Sequence, residues 1–187
     1  KIFTSLSVVL AIIFLGSFVS DNDEINKGKT KKNVILLIGD GMGLTHLYAG
    51  MTANHGKLSI ERITHMGAQK TYSANNYTTD SAASGTAMAT GTKTNNGVVG
   101  MDTSGAVVNS ILEYAEENDF ATGLISTSAI THATPASFIS HVPNRGLYED
   151  IAADFLKTDI DVFIGGGANH FMNRSDSVNL VDKLKDN

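Results

Sequence analysis

Apolar and polar positions along the chain follow two patterns, one typical of buried strands and the other of helices. Three short runs are rich in apolar and β-branched residues: residues 33–40 (NVILLIGD), 120–127 (FATGLIST) and 161–167 (DVFIGGG). Runs of this length predict strands that are buried on both faces of a parallel sheet. A further segment, GAQKTY at residues 67–72, predicts an edge strand or a second strand.

The segments between these runs have the composition and spacing of helices. Alternating strands and helices predict an α/β fold, doubly wound, with a mostly parallel central sheet and helices on both faces. Ligands of such folds bind at the carboxyl ends of the strands, which here are residues 39–43, the loop after Thr127 and residues 165–167. The predicted helices are GLTHLYAGMTAN, LSIERI, VVNSILEYAEEND (with Val108, Ile111, Leu112 and Ala115 on one face), ATPASFI with Pro135 in its first turn, LYEDIAADFLKT and the start of SDSVNLVDKLKDN.

The stretch YTTDSAASGTAMATGTKTNNG at residues 77–97 has the composition of a linker, but it also contains a helix pattern. Asp80 or Thr79 is the predicted N-cap, and small residues fill the helix that follows. Ser81 then lies in the first turn, where free N–H groups and the helix dipole favour an anion. Ser81 is either a nucleophile that a base or cation activates, or a serine that only caps a buried helix.

Asp40 follows the first predicted strand within IGDGMG. The segment is not a dinucleotide fingerprint, because Leu44 occupies the place of the third glycine. A carboxylate at the end of a rigid strand suits a metal ligand. The alternative is that Asp40 caps the following helix.

A third polar group follows the second predicted strand, in STSAITHATPASFISHVPNR. Thr134 offers an oxygen ligand and His132 an imidazole, while Arg145 carries a planar group that suits a phosphate. Each has an ordinary alternative, since a threonine before proline often caps a helix and an arginine often lies at the surface. Their shared location with Asp40 and Ser81 at one edge of the predicted sheet favours a common site.

The amino-terminal residues predict a leader that lies outside the fold. Residues 1–20 combine a basic start, an apolar stretch and small residues, which predicts a secretory signal peptide or an uncleaved signal anchor. Residues 21–32 predict a polar linker, and residues 33–187 predict the folded domain. A net charge of −5 disfavours a nucleic-acid partner, and the absence of cysteine excludes disulfides and thiolate metal sites.

Four segments together resemble the alkaline phosphatases: NVILLIGDGMG, TDSAASGTAMATGTKTNNGVVGMD, ATPASFISHVPNR and VFIGGGANHFMNR. The resemblance extends from residue 33 to the end, and it implies a metal-dependent hydrolase of phosphate monoesters with two Zn²⁺ and one Mg²⁺. It implies that Ser81 is the nucleophile that forms a phosphoserine and binds the second zinc, and that Asp40 bridges that zinc and the magnesium. It also implies that Thr134 is a magnesium ligand, and that Arg145 holds the phosphate with help from Asp80.

Two features depart from the complete family pattern. The enteric bacterial enzyme carries Asp at the position of His132, whereas animal and some marine bacterial members resemble this chain in carrying His. The imidazole of His132 is therefore expected either to bind magnesium or to act through water. The family's remaining zinc and magnesium ligands lie beyond the equivalent of Asn187. We therefore expect an N-terminal fragment with an exposed strand edge that is inactive alone. The alternatives are a non-catalytic chain with weak metal binding and a phosphodiesterase of the same superfamily. The resemblance further implies an extracytoplasmic homodimer that contacts the membrane only through its signal.

Overall fold

The computed structural model describes residues 32–185 of the chain. The predicted signal segment and all but the last residue of the predicted linker lie outside the described residues. The chain divides into two units at the boundary between Ile38 and Gly39. Every helix and strand named below, and every residue of the predicted site, belongs to the second unit.

Two strands form a parallel sheet, β1 (Gly123–Ala129) and β2 (Val162–Gly166). The register pairs Gly123 with Val162, and it shifts once between Ile125 and Ala129. A side chain at Gly123 would lie 2.8 Å from the Val162 side chain, so glycine permits this close pairing. The parallel pairing of the last two predicted strands is therefore confirmed.

Two other strand predictions are wrong. Residues 33–40 have no strand pairing, and most of their apolar side chains are exposed, with Val34 at 87% and Leu37 at 89%. Residues 67–72 likewise contain no strand. An apolar β-branched run favours an extended backbone, but a strand also needs a neighbour to accept its hydrogen bonds. Local sequence does not say whether that neighbour is present.

The predicted burial of both faces of β1 and β2 is also wrong. Ile125 is 76% exposed, and Val162 and Ile164 are exposed as well. Burial of both faces of a parallel sheet requires layers of helices on each side. Within residues 32–185, the elements that surround this two-stranded sheet leave those side chains uncovered.

Most predicted helices are present but shorter than expected. LSIERI forms a 3₁₀ turn, the last helix begins at Leu180 and not at the start of SDSVNLVDKLKDN, and the helix Ala168–Met172 was not predicted. The helix predicted around residue 111 begins only after Ser110, whose side chain and that of Glu113 form a reciprocal capping box. Leu112 is buried as predicted, but Ile111 is 63% exposed. The helices are α1 (Leu44–Ala53), α2 (Ser81–Thr90), α3 (Ile111–Glu116), α4 (Ala133–Ala136), α5 (Tyr148–Asp154), α6 (Ala168–Met172) and α7 (Leu180–Lys185), with a 3₁₀ turn at Ser59–Arg62.

Buried apolar side chains occur around α2 and α4, which carry Ala82, Ala83, Ala133 and Ala136, and in an aromatic group near β2, α5 and α6. Phe155 is buried, and its ring centroid lies 4.6 Å from that of Phe163 on β2 and 5.5 Å from that of Phe171 on α6. Ile151 on α5 is fully buried as well. Among residues 32–185, no helix combines the length and apolar character needed to cross a bilayer.

Candidate active site

Three oxygen-bearing side chains from distant parts of the chain meet at one point. The Ser81 hydroxyl donates to both oxygens of the Asp40 carboxylate, at 3.2 Å to Oδ1 and 3.0 Å to Oδ2. The Thr134 hydroxyl donates to Asp40 Oδ2 at 3.1 Å, across 94 positions of sequence. The predicted gathering of these three residues is confirmed as a feature of the structure, and Asp40 does not act as a side-chain cap of α1.

Ser81 is the first residue of α2, and Asp80 is the N-cap, which decides between the two predicted caps. Asp80 Oδ1 accepts from the amide of Ala83 at 2.9 Å. The Asp80 carbonyl accepts from the Ser84 hydroxyl at 2.7 Å. The start of the helix therefore presents Ser81 in a turn where the backbone dipoles favour negative charge.

The small residues of α2 allow close packing against the segment that carries Thr134. Ala82, Ala83 and Gly85 are buried. A Cβ atom on Gly85 would lie only 2.7 Å from the Ser137 hydroxyl oxygen. Bulk at this position would separate α2 from α4, and with them Ser81 from Thr134.

Arg145 lies against the cap of the Ser81 helix. Its Nη1 donates to Asp80 Oδ2 at 3.1 Å, and its Nη2 lies 3.3 Å from His132 Nε2. A guanidinium group can only donate, so in this contact His132 Nε2 is the acceptor. The Arg145 amide also donates to the Gly97 carbonyl at 2.7 Å, so both its backbone and its side chain are anchored.

His132 is the N-cap residue of α4, but its side chain makes no cap hydrogen bond. The imidazole instead faces Arg145, two positions before Thr134 in sequence. The predicted site residues Asp40, Asp80, Ser81, His132, Thr134 and Arg145 are thus linked in two hydrogen-bonded groups, one around Asp40 and one around Asp80 and Arg145.

Sequence reasoning missed Asn96 and Gly97. The Asn96 side chain accepts from the Asp80 amide at 3.1 Å, and the Gly97 amide donates to Asp80 Oδ2 at 3.0 Å. The available signal was the Asn-Asn-Gly sequence after the helix, since such residues favour tight turns with local side-chain hydrogen bonds. Gly97 has a φ of 86°, a conformation that glycine adopts without strain.

A pair formed by His141 and Glu113 supports the segment that leads to Arg145. His141 Nδ1 lies 2.7 Å from the Gly100 carbonyl, and His141 Nε2 lies 2.8 Å from Glu113 Oε1. The hydrogen bond to Glu113 raises the pKa of His141, against the opposing effect of burial. Burial acts to raise the pKa of Glu113, but hydrogen bonds from His141 and the Ser110 amide outweigh it and lower that pKa.

The donor set around Asp40 fits part of a metal site. A carboxylate and two hydroxyls are hard oxygen ligands of the kind that Mg²⁺ accepts. Among residues 32–185, no group of three or more His, Asp or Glu side chains is arranged to hold an ion. Three side chains, with only one carboxylate among them, fall short of the four protein ligands of a closed zinc site.

The chain is an α/β protein in which the helix-start Ser81 bonds to Asp40 and directly follows Asp80, the partner of Arg145. The family model "Alkaline phosphatase" matches residues 31–185, and the chain belongs to the alkaline phosphatase family. The predicted resemblance and the predicted α/β fold class are therefore confirmed.

Several known proteins are similar to the chain. Alkaline phosphatase 4 of Bacillus subtilis is 38% identical over 97% of this chain and 43% of its own length. The solved alkaline phosphatase of the Antarctic bacterium TAB5 is 44% identical with a TM-score of 0.82, covering 84% of this chain and 46% of that one. A variant of that protein with a histidine replaced by aspartate, described as having Mg bound in the M3 site, is 42% identical with a TM-score of 0.80, over 82% of this chain and 44% of that one. The chain thus spans under half the length of these relatives.

Proposed function

We propose that the protein is a metal-dependent phosphate monoester hydrolase in which Ser81 forms a phosphoserine intermediate. The observation that carries this proposal is the pair of hydrogen bonds from Ser81 Oγ to the Asp40 carboxylate at the start of α2. Phosphate monoesters resist hydrolysis in water, so positioning and charge neutralisation must supply most of the rate enhancement. The helix start, Asp40 and Arg145 provide fixed groups for both tasks.

Ser81 takes part in two successive displacements at phosphorus. In the first, Ser81 Oγ bonds to phosphorus while the bond from phosphorus to the ester oxygen breaks, and the alcohol leaves with the serine proton. In the second, water attacks phosphorus, inorganic phosphate departs and the serine hydroxyl is restored. Asp40 holds the hydroxyl through hydrogen bonds at its two oxygens, and the dipole of α2 favours the developing negative charge.

Arg145 binds the equatorial phosphate oxygens during both displacements. Its planar group can donate two parallel hydrogen bonds to one phosphate. The bond to Asp80 Oδ2 and the bond to His132 Nε2 restrict the orientation of the guanidinium before substrate arrives. A restricted arginine loses less side-chain entropy on binding than a mobile one.

The proposed metals are two Zn²⁺ and one Mg²⁺. Asp40 and Ser81 would contribute to the second zinc, and Asp40 and Thr134 to the magnesium, because their oxygens already meet. When bound, these ions would supply positive charge that lowers the pKa of the serine hydroxyl and stabilises the leaving oxygen. The histidine-to-aspartate variant of the TAB5 protein is described with Mg in its M3 site. We propose that His132 neighbours the magnesium position and acts there directly or through water.

We also propose that residues 33–187 are the N-terminal part of a longer phosphatase domain. Three relations support this: the chain covers 43% and 36% of two Bacillus subtilis relatives and 46% of the TAB5 protein. The alternative is a non-catalytic chain that binds metal weakly, which the partial ligand set around Asp40 favours. A phosphodiesterase is the less supported alternative, since those enzymes commonly use threonine where this chain has Ser81. We further propose that the substrates are small phosphate monoesters, that the protein is extracytoplasmic and that the full-length protein forms a homodimer.

The decisive experiment measures p-nitrophenyl phosphate hydrolysis with zinc and magnesium added. Both the 187-residue chain and any longer product of the same reading frame are assayed, with Ser81→Ala in each and Ser104→Ala as the control, because Ser104 is exposed and bonds only to Asp102. We expect activity in the longer product, a loss of about a thousandfold or more in Ser81→Ala, and none in the 187-residue chain. Undiminished activity in Ser81→Ala would refute the nucleophile, and equal activity in both lengths would refute the truncation.

A further inference from the structure

The chain that leaves the carboxyl end of α2 returns to the amino end of the same helix. There the Asn96 side chain makes two hydrogen bonds on either side of Thr79. Its Oδ1 accepts from the Asp80 amide at 3.1 Å, and its Nδ2 donates to the Thr78 carbonyl at 2.9 Å. One amide group therefore bridges the backbone immediately before Ser81.

Asn96 is itself held from the other side. Its backbone amide donates to Asn75 Oδ1 at 2.9 Å, and the Asn75 oxygen also accepts from the Ser73 hydroxyl at 3.2 Å. The nearby Ala74 amide donates to the Thr94 carbonyl at 2.8 Å. The loop of residues 73–76 is thus joined by polar contacts to residues 94–96, and the Asn96 side chain connects both to the backbone of Asp80, the N-cap of α2.

The neighbouring residue extends these contacts to the arginine. The Gly97 amide donates to Asp80 Oδ2, the oxygen that also accepts from Arg145 Nη1. The Gly97 carbonyl accepts from the Arg145 backbone amide. Asn96 and Gly97 therefore bind the backbone and the carboxylate of Asp80, with Ser81 on one side and Arg145 on the other.

We propose that Asn96 is a positioning residue that acts through Asp80 to set the distance between the Ser81 hydroxyl and the Arg145 guanidinium. The inference rests on the proposed function, because it concerns the same two groups. The Asn96 side chain itself bonds to the protein backbone and not to the reacting atoms. Its loss would let Asp80 and the first turn of α2 shift, and small misplacements of a nucleophile have large effects on rate.

A double-mutant cycle between Asn96 and Arg145 tests the proposal in the intact, active protein. Asn96→Ala should lower kcat/KM for p-nitrophenyl phosphate about tenfold and weaken inhibition by inorganic phosphate. In an Arg145→Ala background the same change should lower kcat/KM less than about threefold, because the distance between Ser81 and the Arg145 guanidinium no longer affects the rate there. Asn95→Ala is the matched control, because the Asn95 side chain takes part in none of these hydrogen bonds.

The outcomes separate positioning from simple stabilisation. A structural role lowers the active fraction equally in both backgrounds, so an equal loss would refute the proposal, as would parental activity in Asn96→Ala. If Asn96→Ala unfolds below the assay temperature, Asn96→Ser replaces it in the cycle with the same expected non-additivity. Parental activity in Ser81→Ala or unchanged phosphate inhibition in Arg145→Ala would instead refute the proposed function.

Discussion

Arg145 Nη1 and Asp80 Oδ2 are joined at 3.1 Å, and the same Asp80 is the N-cap of the helix that begins with Ser81. One carboxylate therefore serves two purposes, the start of a helix and the orientation of a cation. Asp80 Oδ1 caps the Ala83 amide, while Oδ2 binds Arg145 and the Gly97 amide. Because each oxygen has a different partner, substitutions of Asp80 can separate the helix cap from the contact with Arg145.

Asp80→Asn and Asp80→Ala should differ in stability. Asparagine is as good an N-cap as aspartate, whereas alanine lacks an acceptor, so Asp80→Ala should lower the free energy of unfolding by about 1 kcal/mol more than Asp80→Asn. Both variants lose the ionic partner of Arg145, and both should weaken phosphate inhibition. Denaturant unfolding and inhibition by inorganic phosphate check the two effects. Equal stability of the two variants would contradict the role of Asp80 as N-cap. Phosphate inhibition equal to that of the parent in both variants would contradict its role in orienting Arg145.

Arg145→Ala should weaken inhibition by inorganic phosphate at least about tenfold, because a bidentate charged contact is lost. Arg145→Lys should recover only part of the affinity, since an ammonium group lacks the planar fork that meets both Asp80 and phosphate. Arg62→Ala is the control, because Arg62 is exposed and bonds to the Ser59 carbonyl far from these groups in sequence. Full recovery by lysine would show that charge alone matters at this position.

Gly85→Ala should destabilise the contact between α2 and α4. The new Cβ would meet the Ser137 oxygen at 2.7 Å and the Ser137 Cβ at 3.2 Å, and overpacking of this kind costs about 1–3 kcal/mol. Adding Ser137→Ala removes the closer of the two contacts and should restore part of the loss. Gly67→Ala is the control, since a Cβ there meets nothing within 4 Å. Thermal unfolding is measured for the parent, Gly85→Ala, the double variant and Gly67→Ala. An unchanged stability in Gly85→Ala would contradict the close packing of α2 against α4.

Stability should depend on pH through His141. Its pKa is raised in the folded protein, mainly by the hydrogen bond to Glu113. The stabilisation is therefore complete below the unfolded pKa of about 6.5 and is lost as pH rises through the higher folded pKa. The charged groups that face the ring are Glu113 on α3 and Asp154 on α5, and Asp154 is itself paired with Lys157.

Unfolding free energies measured between pH about 6 and 9 check this dependence. His141→Gln should be less stable than the parent at the acidic end and should show a flatter profile. His65→Gln is the control, because His65 is exposed and its ring bonds only to the neighbouring Thr64 hydroxyl. A parental profile in His141→Gln would contradict the raised pKa. The lowered pKa of Glu113 adds a second loss as pH falls through its folded value, below the usual 4.5.

The sequence alone determined the features that depend on neighbouring residues. A cap at Thr79 or Asp80, the small-residue helix after it and the helical turn at Pro135 follow from local hydrogen bonding and side-chain size; the structure selects Asp80. Local chemistry and the family resemblance together also identified the side chains that bond to Asp40 and Arg145. These features needed no knowledge of distant contacts.

Tertiary structure decided the features that require a distant partner. Residues 33–40 have the composition of a strand but remain unpaired in the described part of the chain, because a strand exists only with a neighbour. The role of Asn96 was likewise invisible, since its two acceptor and donor contacts lie 16 and 18 positions away in sequence. Local patterns encode which conformation a segment favours, while pairing, burial and the meeting of Ser81, Asp40 and Thr134 depend on long-range contacts.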